Sequence, residues 1–190
     1  MKNKVLFFWA FIPITLILLS SCNNNWKTYV VKAGNHSTND ISTPLTNKDK
    51  IEFDFKVNTT WYYSEPENPG WNKIRGISHG HHQENSSARL GYQCFNDSLL
   101  VVGAYCYVNG VSPQENPLQK GIIDTIQPGN KVYHCTISRE NGKYIIAFED
   151  KKWEGPAGDD LNWGYTLNPY VGGDFTFDHD WRVEIKGSKK

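Results

Sequence analysis

Residues 87–107 read SARLGYQCFNDSLLVVGAYCY and decide the fold, because they predict two β-strands joined by a short turn. β-Forming runs over 88–94 and 99–108 flank the turn-forming sequence Asn96-Asp97-Ser98. Side chains alternate between the two faces of a strand, so each run has one apolar face and one face of polar or small residues. The apolar faces consist of Ala88, Leu90, Tyr92, Cys94, Leu100, Val102, Ala104 and Cys106. The opposite faces consist of Ser87, Arg89, Gly91, Gln93, Gly103, Tyr105 and Tyr107.

The number of residues in the turn fixes the register of the two strands. A three-residue turn at 96–98 places Arg89 opposite Tyr105 and Ser87 opposite Tyr107. A two-residue turn would displace every one of these side chains. The sequence therefore predicts one sheet face that gathers a cation, a hydroxyl and two phenols, above a core that contains two cysteines.

Two interpretations of this polar face are open. Arginine and tyrosine on a sheet face are often solvated cross-strand pairs with a structural role only. Gly91 and Gly103 favour a functional site, because glycine within a strand can mark the close approach of a ligand. On a further strand over 131–138, alternation directs positions 133, 135 and 137 inward, and we expect His134 to join the polar face.

The rest of the chain has the same character, with many short strands and turn-rich loops between them. Asn141-Gly142 is a strong hairpin signal, and loops are predicted over 64–71, 112–117 and 154–162. Strands are predicted over 26–32, 51–57, 121–126, 131–138, 143–149 and 181–186, in addition to the two above. This pattern predicts an all-β fold, a single antiparallel β-sandwich or jelly roll.

The N-terminus has the order of a secretory signal. Lys2 and Lys4 precede an apolar run over 5–19, which ends in Leu19-Ser20-Ser21-Cys22 and resembles a bacterial lipobox. An uncleaved anchor helix is the alternative, but the run is shorter than the ~20 residues that a spanning helix needs. We expect residues 1–22 to be a signal peptide and 23–190 to form one domain. That domain would be held by a lipid on Cys22 in the bacterial cell envelope, either periplasmic or surface-exposed.

Composition narrows the partners. Without the two signal lysines the chain has 18 basic and 20 acidic residues, which argues against a nucleic-acid partner. Aromatic residues make up 14% of the chain, and they could line a glycan groove or fill a β-sandwich core. Cysteines at 94, 106 and 135 allow at most one internal disulfide, and their spacing matches no metal motif.

Several histidines are candidate metal ligands. His79, His81 and His82 could hold a metal with His179 or Asp178. Gly80 and the polar surroundings indicate instead that the first three lie in a loop, where histidines are usually solvated. We therefore expect no metal and no cofactor.

Four short motifs carry a resemblance to a known family. They are Lys73-Ile74-x-Gly76, Ser87-x-Arg89-Leu90, Tyr105-x-Tyr107 and Tyr170-Val171-Gly172-Gly173. Together they resemble the core pattern of alginate lyases of polysaccharide lyase family fourteen and, more broadly, of concanavalin A-like jelly-roll lyases. The similarity extends over residues 50–186.

The resemblance implies a catalytic groove that contains Lys73, Ser87, Arg89, Tyr105 and Tyr107. The implied reaction is β-elimination, in which a cation neutralises the uronate carboxylate and a base removes the C5 proton. A tyrosine can then protonate the leaving glycosidic oxygen. The base is left open between Lys73 and a tyrosine, since either would need a lowered pKa.

We therefore expect a lipid-anchored monomer that acts on an acidic polysaccharide in the manner of a lyase. Gln93, His81 and His134 are expected to contact the substrate. A non-catalytic glycan-binding surface lipoprotein is the alternative function, and a structural envelope lipoprotein with all its aromatic residues in the core is a third.

The lipid anchor yields the first prediction. Changing Cys22 to Ser removes the thiol that would be acylated, so an unprocessed precursor without acyl label should accumulate. Metabolic labelling with a radioactive fatty acid measures this. Normal labelling of the variant would contradict the lipobox assignment.

Overall fold

The computed structural model of the chain describes residues 25–45, 49–64, 70–80, 82–159, 163–173 and 175–187. The predicted signal peptide with Cys22, and His81, lie outside these residues. Within the described part, no helix is long and apolar enough to cross a membrane.

The described residues form eleven strands and two single-turn 3-10 helices, at Thr59–Trp61 and Pro117–Gln119. The strands are β1 (Lys27–Val31), β2 (Lys50–Lys56), β3 (Asn72–His79), β4 (Ser86–Phe95), β5 (Leu99–Tyr107), β6 (Lys120–Ile126), β7 (Val132–Glu140), β8 (Lys143–Phe148), β9 (Lys151–Pro156), β10 (Gly164–Leu167) and β11 (Trp181–Gly187). All strand pairs are antiparallel. This confirms the predicted all-β class.

The strands form two sheets that pack face to face. One sheet has six strands in the order β1-β11-β2-β7-β8-β9, and the other has five in the order β10-β3-β4-β5-β6. The core between them receives the alternating apolar side chains of both sheets. The architecture is therefore an antiparallel β-sandwich, as predicted.

The β4–β5 hairpin has the predicted register. Arg89 lies opposite Tyr105 and Ser87 opposite Tyr107. The turn is possible because Asn96 and Asp97 adopt positive φ angles of 49° and 56°, which asparagine and aspartate tolerate better than most residues. All the predicted apolar-face residues of this hairpin belong to the core.

Aromatic residues fill much of the core at the centre of the sandwich. The ring centroid of Trp61 lies 4.4 Å from that of Tyr92 and 5.3 Å from that of Trp181. Such aromatic pairs contribute about 0.5–1.5 kcal/mol each beyond the area they bury. A large share of the aromatic surplus is thus structural, although other rings line the site described below.

Three strands were not predicted from the sequence. β3 is interrupted by a bulge between Lys73 and Arg75, which breaks the period-2 pattern. β10 is only four residues long, and β9 is an edge strand without a buried residue, whose second half lies in the predicted loop over 154–162. Short, bulged and edge strands carry weak alternation, which is why the sequence did not reveal them.

The core position of the three cysteines yields the second prediction. Cys94, Cys106 and Cys135 form no disulfide in the described chain and are fully buried, and burial raises the pKa of the Cys106 and Cys135 thiols. Thiol reagents should therefore leave them unmodified until the protein is unfolded. Peptide mapping by mass spectrometry after a timed reaction measures this. Ser98→Cys, in the exposed turn, is the positive control, and equal reaction of all four thiols would contradict the face assignment.

Candidate active site

A cleft of about 1050 Å³ lies on the face of the five-stranded sheet that points away from the core. Its described lining residues come from β3, β4, β5 and β6, from the loops that precede β3, β4 and β6, and from the segment around Tyr170. They include Trp71, Lys73, Gln83, Glu84, Ser87, Arg89, Gln93, Tyr105, Tyr107, Lys120, Tyr170 and Phe175. The five residues that the family resemblance placed in a groove therefore do share one cleft.

The bulge in β3 gives Lys73 its place in this cleft. Lys73 pairs with Gly91 on the cleft face of β4, whereas Arg75 pairs with Leu90 on the core face. The extra residue between them, Ile74, is buried in the core. One inserted residue therefore lets the strand bury Ile74 and still present Lys73 to the cleft.

The Lys73 side chain is buried and surrounded by aromatic rings and a carbonyl. Its Nζ donates to the Gly172 carbonyl oxygen at 3.1 Å and lies 4.6 Å and 5.3 Å from the ring centroids of Tyr105 and Tyr170. Burial, and then the neighbouring Arg89 guanidinium, lower the pKa of Lys73 to about 7. Among the described residues no carboxylate forms an ion pair with Lys73, so a substantial fraction of its amine is neutral at neutral pH.

Arg89 is the second buried cation of the cleft. Its Nη2 donates to the Gln83 side-chain oxygen and its Nη1 to the Asn168 carbonyl oxygen at 3.4 Å. Burial lowers the pKa of Arg89 to about 10, which leaves it charged at neutral pH. No carboxylate of the described chain pairs with it. A Cβ on Gly76 would lie 2.6 Å from Arg89 Cγ, so glycine at this position gives the arginine its room.

The two tyrosines and Ser87 lie beside these cations. Tyr105 and Tyr107 pack edge to face with their ring centroids 5.9 Å apart. Burial is the main cause that raises the pKa of Tyr105, so its hydroxyl keeps its proton. The Ser87 hydroxyl is buried without a hydrogen-bond partner among the described residues. A ligand in the cleft could supply that partner.

The segment that begins at Tyr170 closes the cleft beside β3. The backbones of Lys73 and Tyr170 exchange two hydrogen bonds of 2.7 Å and 2.9 Å. The Gly172 N–H donates to the Asn72 side-chain oxygen at 2.6 Å. Gly172 adopts a φ of +68°, and a Cβ there would meet the Phe175 carbonyl oxygen at 2.1 Å, so only glycine fits. The Tyr-Val-Gly-Gly motif thus holds the carbonyl that Lys73 contacts.

Trp71 is a cleft residue that the sequence did not reveal, and it changes the interpretation of two glycines. A Cβ on Gly91 would lie 2.9 Å from the Trp71 ring, and a Cβ on Gly103 would lie 2.6 Å from it. The close approach predicted at these glycines is therefore made by an indole of the protein itself, and the prediction of a ligand there is wrong. The sequence around Trp71 does not indicate that its ring packs on Gly91 and Gly103, because the two glycines lie on other strands.

Of the three residues predicted to contact the substrate, one lines the cleft, one lies on the other sheet and one lies outside the described residues. Gln93 lines the cleft. His134 does not, because it lies on β7 of the opposite sheet, where its Nδ1 is 2.8 Å from Asp54. The prediction that His134 joins the polar face is therefore wrong, since alternation gives the side of a strand but not the sheet to which the strand belongs. His81 lies outside the described residues.

The remaining histidines form no metal site within the described chain. The prediction of a loop at His79 is wrong, because it ends β3 and is buried, with Nδ1 2.9 Å from the Tyr144 hydroxyl. His82 is exposed, and His179 lies 2.8 Å from Asp178 at a separate pocket.

Comparisons with known proteins agree with this architecture. No family profile matches the chain, and no curated protein sequence is significantly similar to it. The marine PL7 alginate lyase AlyA1 from Zobellia galactanivorans superposes with a TM-score of 0.56 at 16% identity, over 85% of this chain and 75% of the lyase. A double mutant of the alginate lyase Aly36B in complex with an alginate trisaccharide gives a TM-score of 0.55 at 12% identity, over 85% and 78%.

The same fold also occurs in a protein of a different activity. The Crh5 transglycosylase superposes with a TM-score of 0.50 at 11% identity, over 90% of this chain and 81% of that protein. These superpositions establish the jelly-roll fold. At identities this low they do not identify the function, which has to be argued from the residues of the cleft.

The seat of Trp71 yields the third prediction. Gly103→Ala places a methyl group 2.2 Å from the Gly121 carbonyl oxygen and 2.6 Å from the Trp71 ring, so the indole must leave its seat. Overpacking of this kind costs about 1–3 kcal/mol of unfolding free energy. Urea denaturation measures it, with Gly187→Ala as the control because nothing lies within 4 Å of a Cβ there. Equal stability of the two variants would contradict the packing described.

Proposed function

We propose that this chain is a lipid-anchored, extracytoplasmic lyase-like protein that cleaves acidic polysaccharide by β-elimination, resembling the alginate lyases of polysaccharide lyase family fourteen. The observation that carries the proposal is the pair of buried cations, Lys73 and Arg89, beside two tyrosines in one cleft. Neither Lys73 nor Arg89 has a carboxylate partner among the described residues, and the carboxylate of an anionic sugar would provide one for Arg89.

Arg89 is proposed to bind the uronate carboxylate. Its guanidinium is charged at neutral pH and is held by Gln83 and the Asn168 carbonyl oxygen. A planar guanidinium matches a carboxylate in geometry, and its charge acidifies the neighbouring C5 proton. The charge of Arg89 also helps to keep the Lys73 amine neutral when the anion is bound.

Lys73 is proposed to be the base. Its pKa of about 7 provides a neutral amine at the working pH, as a general base requires. Tyr105 fits the role of the general acid, because its raised pKa keeps the proton on its hydroxyl. The structure therefore favours Lys73 over a tyrosine at the point that the sequence left open.

Lys73 and the two tyrosines can account for both proton transfers of the elimination. The Lys73 amine takes the C5 proton, the C5–H electron pair forms a C4–C5 double bond, and the C4–O bond breaks. A hydroxyl of the neighbouring Tyr105 and Tyr107 supplies the proton for the leaving oxygen. Hydrolysis by two carboxylates is disfavoured, because Glu84 is the single acidic side chain among the described lining residues.

Product formation tests the proposal directly. The protein is incubated with a panel of uronic-acid polymers, and absorbance near the band of unsaturated uronates is followed. An increase on at least one polymer is expected. Binding without any increase on the whole panel would contradict the lyase and favour the non-catalytic glycan-binding function.

Variants of Lys73 yield the fourth prediction. Lys73→Arg keeps a cation but cannot act as a base near neutral pH, so kcat should fall by about 10²–10⁴-fold. In the unaltered protein, kcat/KM should rise as the pH increases through about 7, because the free Lys73 amine loses its proton there. Lys152→Gln, on the exposed edge strand of the other sheet, is the control. Full activity of Lys73→Arg would show that Lys73 contributes charge alone.

The tyrosine pair yields the fifth prediction. Phenylalanine at position 105 or 107 keeps the ring but removes a hydroxyl from the proton-donating pair. Each variant should lower kcat at least about tenfold with little change in oligosaccharide affinity. Steady-state kinetics combined with calorimetry separates the two effects. A loss of affinity with unchanged kcat would assign the tyrosines to binding.

A further inference from the structure

Trp26 directly precedes β1 and lies only four residues after Cys22, the proposed site of acylation. Its ring lies on the outer face of the six-stranded sheet, where Lys56 Nζ and Lys186 Nζ are 4.5 Å and 5.9 Å from the ring centroid. Indoles and lysines concentrate at membrane–water interfaces, because each has an apolar part and a polar end. The first described side chains of the domain therefore have the character of a membrane contact.

The tether between the proposed lipid and the fold is short. Four Cα–Cα steps separate Cys22 from Trp26, and an extended chain spans at most about 14 Å over four residues. The six-stranded sheet is about 24 Å across, because neighbouring strands lie about 4.8 Å apart. An acylated Cys22 would therefore hold the β1 edge of the sandwich against the bilayer.

A second apolar side chain lies at the same edge. Asp40 forms an ion pair with Lys27, the first residue of β1, and Ile41 follows Asp40 with 92% of its surface exposed. Single exposed apolar residues are common on proteins, so exposure alone would carry no argument. The backbone here is held, however, because the Asp40 carbonyl oxygen accepts from Asn168 Nδ2 at 3.0 Å. The fold thus presents Trp26 and Ile41 beside one ion pair, where the tether begins.

The centre of the six-stranded sheet is less suited to a bilayer. His134 on its outer face is surrounded by carboxylates, with Nδ1 2.8 Å from Asp54 and Nε2 3.6 Å from Glu52, and its N–H donates to Glu149 at 2.6 Å. Anionic lipid headgroups repel such a group of carboxylates. A domain that lay flat on this sheet would bring the carboxylates to the headgroups, whereas contact along the β1 edge avoids them.

We propose that Trp26 and Ile41, with the Lys27–Asp40 ion pair between them, form the surface by which this chain docks on a lipid bilayer. We call these four residues the tether edge. Trp26 and Ile41 enter the headgroup layer, and Lys56 and Lys186 meet the lipid phosphates. This rests on the lipid anchor of the proposed function and adds the face that meets the membrane.

Docking by the tether edge also orients the cleft. Asn168 connects the two, because its side chain donates to Asp40 and its carbonyl oxygen accepts from Arg89 at 3.4 Å. The Arg89 end of the cleft is therefore the end nearest the bilayer, and the β6 end is the farthest. The cleft floor stands beside the membrane and its mouth is left open to polymer.

Quenching of a fluorescent label by lipids tests which face is docked. The acylated chain is reconstituted in vesicles of phosphatidylethanolamine and phosphatidylglycerol, in which part of the lipid carries a headgroup quencher. A cysteine is introduced for labelling at Thr28, which is exposed on β1, or at one of two exposed control positions, Leu118 before β6 and Lys152 on β9. The label at Thr28 should be quenched at least about threefold more than either control label, since an interfacial contact reaches only a few ångströms into the headgroups.

Matched variants separate the docked surface from the tether itself. In the protein labelled at Thr28, Ile41→Asp should lower the quenching to about half, because it places a charge where an apolar side chain enters the interface. Leu118→Asp makes the same change at an exposed apolar residue on the opposite side of the sandwich and should change nothing. Each value is the ratio of emission without and with the quencher lipid, so effects of the protein on the dye cancel.

Three results would overturn the assignment. Equal quenching at Thr28 and Lys152 would mean that the domain lies flat on its six-stranded sheet. Equal quenching in Ile41→Asp and Leu118→Asp would mean that Ile41 makes no contact with lipid. Loss of emission that follows protein density instead of quencher lipid would assign the surface to a second copy of the chain.

The readout needs no catalysis, so it is separate from the proposed reaction. Selective quenching at Thr28 without cleavage of any polymer would support the docked surface while the lyase fails. Cleavage without selective quenching would overturn the docked surface and leave the lyase standing. A mass spectrum that shows no acyl group on Cys22 would overturn the anchor and the docked surface together, and would leave the reaction untouched.

Discussion

Two basic side chains buried on one sheet face, neither paired with a carboxylate of the described chain, are the constraint on which the site depends. Lys73 has a pKa of about 7 in the folded chain and 10.5 as a free lysine, so folding releases its proton between those values. The free energy of unfolding therefore rises with pH across this window, by about 5 kcal/mol from this group alone. A domain of this size gains only about 5–15 kcal/mol from folding. Such a cost favours a functional role for the buried amine over a structural one.

Two local features of the backbone, a turn and a bulge, place these two basic side chains on the same face. The three-residue turn at 96–98 sets the register that brings Arg89 beside Tyr105, and the bulge after Lys73 turns that side chain to the same face. A shift of one residue at either place would move a cation into the core, where an unpaired charge costs several kcal/mol. The glycines beneath Trp71 and beside Arg89 then provide space for large side chains on the cleft face of the sheet.

The sequence was sufficient for those features that depend on neighbouring residues. Alternation and turn length are local, so the pairing of Arg89 with Tyr105 and the burial of Cys94 could both be predicted. The order of strands in a sheet is not local, and His134 was consequently assigned to the wrong sheet. The seat of Trp71 also depends on contacts between distant segments. The role of Lys73 came only from the family resemblance, because the bulge hides the face on which it lies.

The state of the Lys73 amine is the central claim, and a titration followed by NMR tests it most directly. The chain is labelled with ¹³C and ¹⁵N in lysine, and the Cε and Nζ shifts of Lys73 are assigned with Lys73→Arg and followed from pH 5 to 11. A midpoint near 7 is predicted, well separated from the exposed lysines. A midpoint at or above 10 would mean that the amine stays charged at neutral pH, and would contradict the account of Lys73 as the base.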